Sequence, residues 1–381
     1  MEHELFAVCA PGLEPFTEAE LRALGADAVR SEPGGVAFRG SLQVLYRANL
    51  KLRTATRVLV RLGEFHARDF EQLRQRTSRL PFESCLAPGA AVRITASCSR
   101  SRLRHTGAVA ERVRLAIGDR LGIEPPPGGP HDPEASKDQE VPPHVLVRLL
   151  HDRCVVSIDA SGALLHQRGW RKLAGKAPLR ETLAAALLLA ADWDAASPLA
   201  DPFCGSGTIA IEAALLARKL APGRGRQFAF MEWPGFDAAL WSQLLAEAEA
   251  AALDTAPAIR ASDRDAGAIE SARANADAAG VAMDIELACR AISDFEPPPG
   301  TGWIVSNPPY GVRLRGAGDL RDLYARFGAV LRRRCPGWHV ALLCADRRLV
   351  RASELPLEAC ASWRNGGLRV EVFAGVVPGA A

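Results

Sequence analysis

From residue 183 onward, stretches with apolar residues at helical spacing alternate with short apolar runs. No other feature constrains the fold as much. Strands separated by helices pair in parallel, and a parallel sheet needs helices to cover its faces. The spacing predicts strands over residues 198–201, 258–262, 283–287, 303–306 and 339–344. The chain then closes with 361–364, the turn Asn365-Gly366-Gly367 and 368–373. Asn-Gly between strand-like runs marks a hairpin, so an antiparallel pair is expected at the sheet edge.

The first 180 residues read differently. Residues 4–60 predict a small α/β unit, with strands at 5–8, 36–38 and 58–62 and helices over 14–24 and 42–50. A second unit follows over 65–170. It has helices at 70–79 and 109–121, a strand at 91–96, and a hairpin of 145–150 with 154–159 about His151-Asp152. Residues 124–144 are rich in Pro, Gly and charge and read as a solvated loop.

Charge separates the halves. The chain carries 47 Lys+Arg against 44 Asp+Glu, a net +3. Residues 1–180 hold 27 against 20, hence +7, and the remainder 20 against 24, hence −4. A basic front half suits a polyanion partner, although an arginine-rich composition alone gives the same imbalance. Arg100, Arg102 and Arg104 with His105, set among small hydroxyl residues, are the candidate nucleic-acid contacts.

Nine cysteines without a Cys-x-x-Cys pair point to free thiols in a reducing cytosol, with no metal site. The longest apolar run, 183–191, is half of the roughly 20 residues that a membrane span needs. Met1-Glu2-His3-Glu4 lacks the positive charge of a signal peptide. A cytoplasmic protein is expected.

Three motifs carry chemistry. The run Asp201-Pro202-Phe203-Cys204-Gly205-Ser206-Gly207-Thr208 lies between a strand and a helix. Glycines on either side of Ser206 let the backbone turn tightly and approach a ligand, which then meets the free N–H groups of the helix start. Gly205-x-Gly207-x-x-Ala210 also fits a dinucleotide fingerprint, and a plain structural turn explains it too. Asp201 at the head of the loop would repel a pyrophosphate and suits a cationic ligand.

Asp263 ends the next strand, where a carboxylate can accept hydrogen bonds from ribose hydroxyls, whereas Asp265 fits a helix N-cap better. Asp263 follows Gly207 by 56 positions, not the roughly 20 of a dinucleotide fold. Residues 219–258 therefore read as an insertion, and NAD fits poorly.

Ser306-Asn307-Pro308-Pro309-Tyr310-Gly311 follows an apolar strand. Two prolines stop that strand at the carboxyl edge of the sheet and leave carbonyls as the polar groups on offer. An exocyclic amine has two N–H donors; the Asn307 side-chain oxygen and the Pro308 carbonyl can accept them, while Tyr310 stacks on the base. The bland alternative is a strand-ending turn with a packed tyrosine.

On these motifs the chain resembles S-adenosylmethionine-dependent methyltransferases acting on exocyclic amines. More closely, it resembles the THUMP-domain RNA guanine-N2 methyltransferases, particularly the N-terminal half of the bacterial 23S rRNA enzyme. His166-Gln167-Arg168-Gly169-Trp170, residues 177–183 and residues 221–241 share the likeness, which is strong over 164–314 and diffuse before 150. It implies a ferredoxin-like unit at 1–62, a THUMP RNA-binding domain at 63–162 and a Rossmann-like methyltransferase domain at 163–381.

The resemblance also implies roles. Asp201, Phe203, Gly205, Gly207 and Thr208 fall on the loop that holds the cofactor, and Asp263 with Arg264 on its ribose. Cys289 stands where the family usually has an Asp on the adenine amine, with Asp294 several positions late. Asn307, Pro308 and Tyr310 fall on the amine site. The implied reaction is methyl transfer to guanine N2 in 23S rRNA, with no membrane and no obligate protein partner. The alternatives are a tRNA guanine-N2 methyltransferase, an adenine-N6 enzyme with the same tetrapeptide, and a non-catalytic RNA-binding module with a vestigial pocket.

Overall fold

The structure is a computed structural model that describes residues 2–129, 142–173, 179–310 and 317–379. The middle of the expected 124–144 loop, Ala177, Pro178, and Gly311 with the end of the 164–314 likeness lie outside the described residues.

In chain order the elements are β1 (His3–Cys9), α1 (Glu14–Ala23), β2 (Asp27–Glu32), β3 (Gly35–Gly40), α2 (Leu42–Lys51), β4 (Ala55–His66), α3 (Phe70–Thr77), β5 (Arg93–Ser99), α4 (Thr106–Leu121), β6 (His144–Leu150) and β7 (Arg153–Asp159). There follow α5 (Glu181–Ala190), β8 (Leu199–Asp201), α6 (Thr208–Ala217), α7 (Ala238–Ala250), β9 (Ile259–Asp263), α8 (Ala266–Ala279), β10 (Ile285–Cys289), β11 (Trp303–Ser306) and α9 (Ala317–Arg334). The last elements are β12 (His339–Cys344), α10 (Arg347–Ala352), β13 (Glu358–Asn365) and β14 (Leu368–Val376). They form two compact units, one of Met1–Cys9, Thr17–Leu165 and Gly225–Leu245, the other of Ala10–Phe16, His166–Arg224 and Ala246–Ala381.

The first unit is built on one seven-stranded sheet, ordered β2-β3-β1-β4-β7-β6-β5. It is antiparallel except for β5 beside β6. The boundary expected at 62/63 falls inside β4, which pairs with β1 on one side and β7 on the other. Gly63 hides this continuation in the sequence: it sits at a register shift where a Cβ would come within 2.5 Å of Leu80. Strand β2, Asp-Ala-Val-Arg-Ser-Glu, carries no apolar alternation and was not expected. It is an exposed edge strand held by β3, with Glu32 accepting from Arg61 at 2.6 Å.

The expected hairpin of β6 and β7 turns at His151 and Asp152, both left-handed at φ 53° and 60°. The expected insertion at 219–258 is not a free loop. Its stretch Gly225–Leu245 belongs to this unit, where Phe230 stacks on Tyr46 at 4.4 Å and the Asp237 N–H donates to the Tyr46 hydroxyl at 3.0 Å.

The second unit carries the sheet β10-β9-β8-β11-β12-β14-β13. The first five strands run parallel and the last two are antiparallel, the Rossmann-like sheet with a terminal hairpin that was expected. The order reverses between β8 and β11, so their carboxyl ends open the crevice where α/β proteins bind ligands. Helices α5 and α6 are apolar nearly all round because both are buried, with Leu187, Leu188, Ala210 and Ile211 wholly inaccessible. The edge hairpin turns at Gly366 and Gly367, whose φ of 55° and 90° favour glycine. Among the described residues no helix is long and apolar enough to cross a membrane, no group of acidic, His or Cys side chains could hold a metal ion, and all nine cysteines are free.

Candidate active site

Asp201 closes β8 and is 1% exposed. Its Oδ1 accepts from the Phe203 N–H at 3.2 Å and from the Ser306 hydroxyl at the end of β11. Its Oδ2 is buried without a partner. Burial, reinforced by the nearby Asp263 carboxylate, pushes the Asp201 carboxyl up to about 7 against the pull of those two hydrogen bonds. A buried acid with one committed oxygen and one orphaned oxygen is poised for a cation.

The glycine loop follows. Gly205 (φ +53°) has no atom within 4 Å of where a Cβ would stand, so this stretch of backbone is open to a ligand. Gly207 (φ +84°) caps α6 and lies tight on α8, its virtual Cβ 3.0 Å from the Ala272 Cβ. The Gly205 N–H donates to Asp263 Oδ2 at 3.0 Å, and the Asp265 N–H donates to Oδ1 at 3.0 Å. Each Asp263 oxygen keeps a lone pair for a further donor. Asp265 is the N-cap of α8, accepting from Gly267 and Ala268, as its position predicts.

Cys289 is exposed and directly opposite Asp263 in the parallel register of β9 and β10. Its thiol lies 3.7 Å from the carbonyl of the exposed Arg264. Asp294 sits in a separate 3₁₀ turn and accepts from Ser293 at 3.3 Å.

Asn307 and the buried Pro308 follow Ser306 directly, and the Asn307 Oδ1 is buried without a partner. The half-buried Tyr310 packs against the apolar cluster that contains Tyr324, Cys344 and Phe373, and its hydroxyl accepts from Asn365 Nδ2 at 3.3 Å. The residues expected from the sequence thus gather at the carboxyl ends of β8, β9, β10 and β11. Two of them point elsewhere. The Phe203 ring packs on Phe327 at 5.7 Å, and the Thr208 hydroxyl accepts from Arg171 at 3.1 Å.

Sequence reasoning missed the residues that hold the loop. Arg171 donates to Ser206, Thr208, Glu181 and the Leu179 carbonyl at 2.8–3.3 Å. Asn275 on α8 is inaccessible; its Oδ1 accepts from the Lys172 and Leu173 N–H groups, and its Nδ2 donates to the Leu173 and Ser206 carbonyls. Asn275→Ala would remove four hydrogen bonds to backbone groups, the one to the Ser206 carbonyl fully buried, and should lower unfolding free energy by about 3 kcal/mol, measured by denaturant titration.

Arg100, Arg102, Arg104 and His105 lie in the first unit and are exposed between β5 and α4. The His105 Nδ1 is committed as N-cap of α4, accepting from the Ala108 N–H at 2.9 Å, and the Arg104 Nε donates to the Ser101 carbonyl at 3.4 Å. The arginines keep most of their donors for solvent or a ligand.

Comparison with known proteins gives the family. Residues 168–370 match the family described as RMKL-like methyltransferase domain, and residues 4–59 match the RlmL ferredoxin-like domain. A Synechocystis protein provisionally named RNA methyltransferase slr0064 is 36% identical over 366 residues, covering 95% of this chain and 94% of its own length. Ribosomal RNA large subunit methyltransferase K/L of Methylococcus capsulatus is 38% identical over 98% of this chain, which spans 51% of that relative. The crystal structure of SMU.472, provisionally described as a methyltransferase and complexed with SAH, superposes with a TM-score of 0.87 at 31% identity, covering 100% of this chain and 99% of that one. The chain belongs to the RMKL-like methyltransferase domain family and carries an RlmL ferredoxin-like domain at its front.

Proposed function

We propose that the chain is a cytoplasmic S-adenosylmethionine-dependent RNA methyltransferase that modifies the exocyclic N2 amine of a guanine in 23S rRNA. One observation carries this reading. The orphaned Asn307 oxygen, an amine acceptor, is one residue from Ser306, which is bonded to the acid proposed to hold the cofactor. Residues 63–162 act in it as the THUMP RNA-binding domain, and rRNA is favoured over tRNA by the likeness to the K/L relative.

The residues present fit S-adenosylmethionine. Asp201 Oδ2 is an unpaired acceptor for the cationic methionine end, Gly205 leaves its stretch of the loop open, and Asp263 can take the ribose. Bound S-adenosylmethionine supplies an electrophilic methyl on its sulfonium. The guanine amine is a weak nucleophile because its lone pair is delocalised into the ring. Asn307 Oδ1 and the Pro308 carbonyl accept its two N–H groups and favour a pyramidal nitrogen with its lone pair aimed at the methyl. That is orientation and preorganisation rather than strong base catalysis. A base in folded RNA must first be flipped, and phosphate contacts by the basic front half offset that cost of a few kcal/mol.

Incubation with labelled S-adenosylmethionine and rRNA, tRNA or DNA tests the reading: label should enter rRNA, and calorimetry should show binding of S-adenosylmethionine and not of NAD. Label in no nucleic acid would sink it in favour of a non-catalytic RNA-binding module. Replacing Arg100, Arg102 and Arg104 with alanine should flatten the salt dependence of RNA binding, by about 0.7 in log–log slope for each phosphate of single-stranded RNA no longer neutralised.

A further inference from the structure

At the tip of the edge hairpin, Arg364 of β13 and Arg369 of β14 stand directly opposite each other in the antiparallel register. Like charges at such a position oppose pairing of the strands. Both side chains are exposed, and neither forms an ion pair among the described residues. The one acid two residues along, Glu371, is already held by Arg347 through two hydrogen bonds at 2.7 and 2.6 Å. Glu371 also attracts Arg369, more weakly than it does Arg347, so the repulsion within the pair is only partly offset.

Arg369, Glu371 and Phe373 alternate along β14 and share a face, and Phe373 belongs to the apolar cluster on which Tyr310 packs. The next rung toward the tip pairs Asn365 with Leu368. Asn365 donates to the Tyr310 hydroxyl, and Leu368 is 58% exposed. The hairpin tip is therefore tied directly to Tyr310, and the two facing cations occupy the adjacent rung of the hairpin.

We infer that Arg364 and Arg369 form a phosphate clamp for the substrate, gripping the RNA phosphodiester backbone next to the nucleotide presented to Asn307 and Tyr310. A planar guanidinium fork suits phosphate oxygens, and a facing pair can take consecutive or single bridging phosphates. The anion relieves the repulsion that the free hairpin carries. This inference rests on the RNA methyltransferase reading proposed above.

The test compares the full-length wild type with Arg364→Ala/Arg369→Ala and with Arg364→Glu. The double alanine variant should raise KM for RNA about tenfold and lower the log–log salt slope of RNA binding by about 1.4, two phosphates at roughly 0.7 each. Its affinity for S-adenosylmethionine should stay within twofold. Arg364→Glu places an opposite charge against Arg369, so its thermal midpoint should equal or exceed that of the wild type while its RNA affinity falls further. A stable variant that binds RNA poorly separates a clamp from a folding role. Unchanged KM and salt slope in the double variant, with an active wild type, would overturn the clamp alone. A wild type that neither binds nor methylates RNA would overturn the functional reading and the clamp with it.

Discussion

Replacing Asn307 with alanine should reduce turnover by about 10²–10³-fold, the effect of removing one preorganised polar group from a reacting centre. Affinity for S-adenosylmethionine should stay within a few-fold, because the variant leaves Asp201, Gly205 and Asp263 untouched. The separation is expected from the geometry: the Asn307 Oδ1 has no bond to the loop to lose. Single-turnover kinetics alongside calorimetry measure the two quantities. Equal loss of both would make Asn307 a structural residue of the strand end.

The second large effect is on pH. The Asp201 carboxyl is raised to about 7 by burial and by Asp263, so the folded chain holds its proton more tightly than the unfolded chain does. This group alone makes the ligand-free protein lose stability as pH rises from about 4 to about 7. Cation binding has the opposite slope, since only the ionised acid attracts the cationic end of the cofactor. Affinity for S-adenosylmethionine should therefore fall about tenfold per unit below pH 7 and level off above it. Asp201→Asn should abolish that slope. Calorimetry between pH 5.5 and 8.5, on the order of three pH units about the titration, reads it. A flat profile in the wild type would show that Asp201 does not meet the positive charge.

The parallel half of the fold was legible because short apolar runs ended by Gly, Pro or Asp mark buried strands, and each lies within a few residues of its expected place. Strand β2 was hidden because an exposed edge strand needs no apolar face, and the reach of β4 was hidden by Gly63 at a register shift. The same division holds at the site. Asp201, Asp263 and Asn307 could be picked out because each sits at a fixed offset from a strand end. Arg171, Asn275, the Ser306 hydroxyl and the Asn365 side chain could not, because their bonds join positions 35, 69, 105 and 55 residues apart. Asn365 in particular reads locally as a turn residue, whereas it ends β13 and pairs with Leu368. The arginine pair of the hairpin is visible only once the register is known.

In the proposed reaction Asn307, Pro308 and Tyr310 present guanine N2 to the transferred methyl. The most direct measurement is nucleoside analysis of RNA digested after incubation with purified protein and S-adenosylmethionine, with Asn307→Ala in parallel. N2-methylguanosine should be the product of the wild type and should nearly disappear in the variant. N6-methyladenosine as the wild-type product, or N2-methylguanosine formed equally by the variant, would contradict this reading.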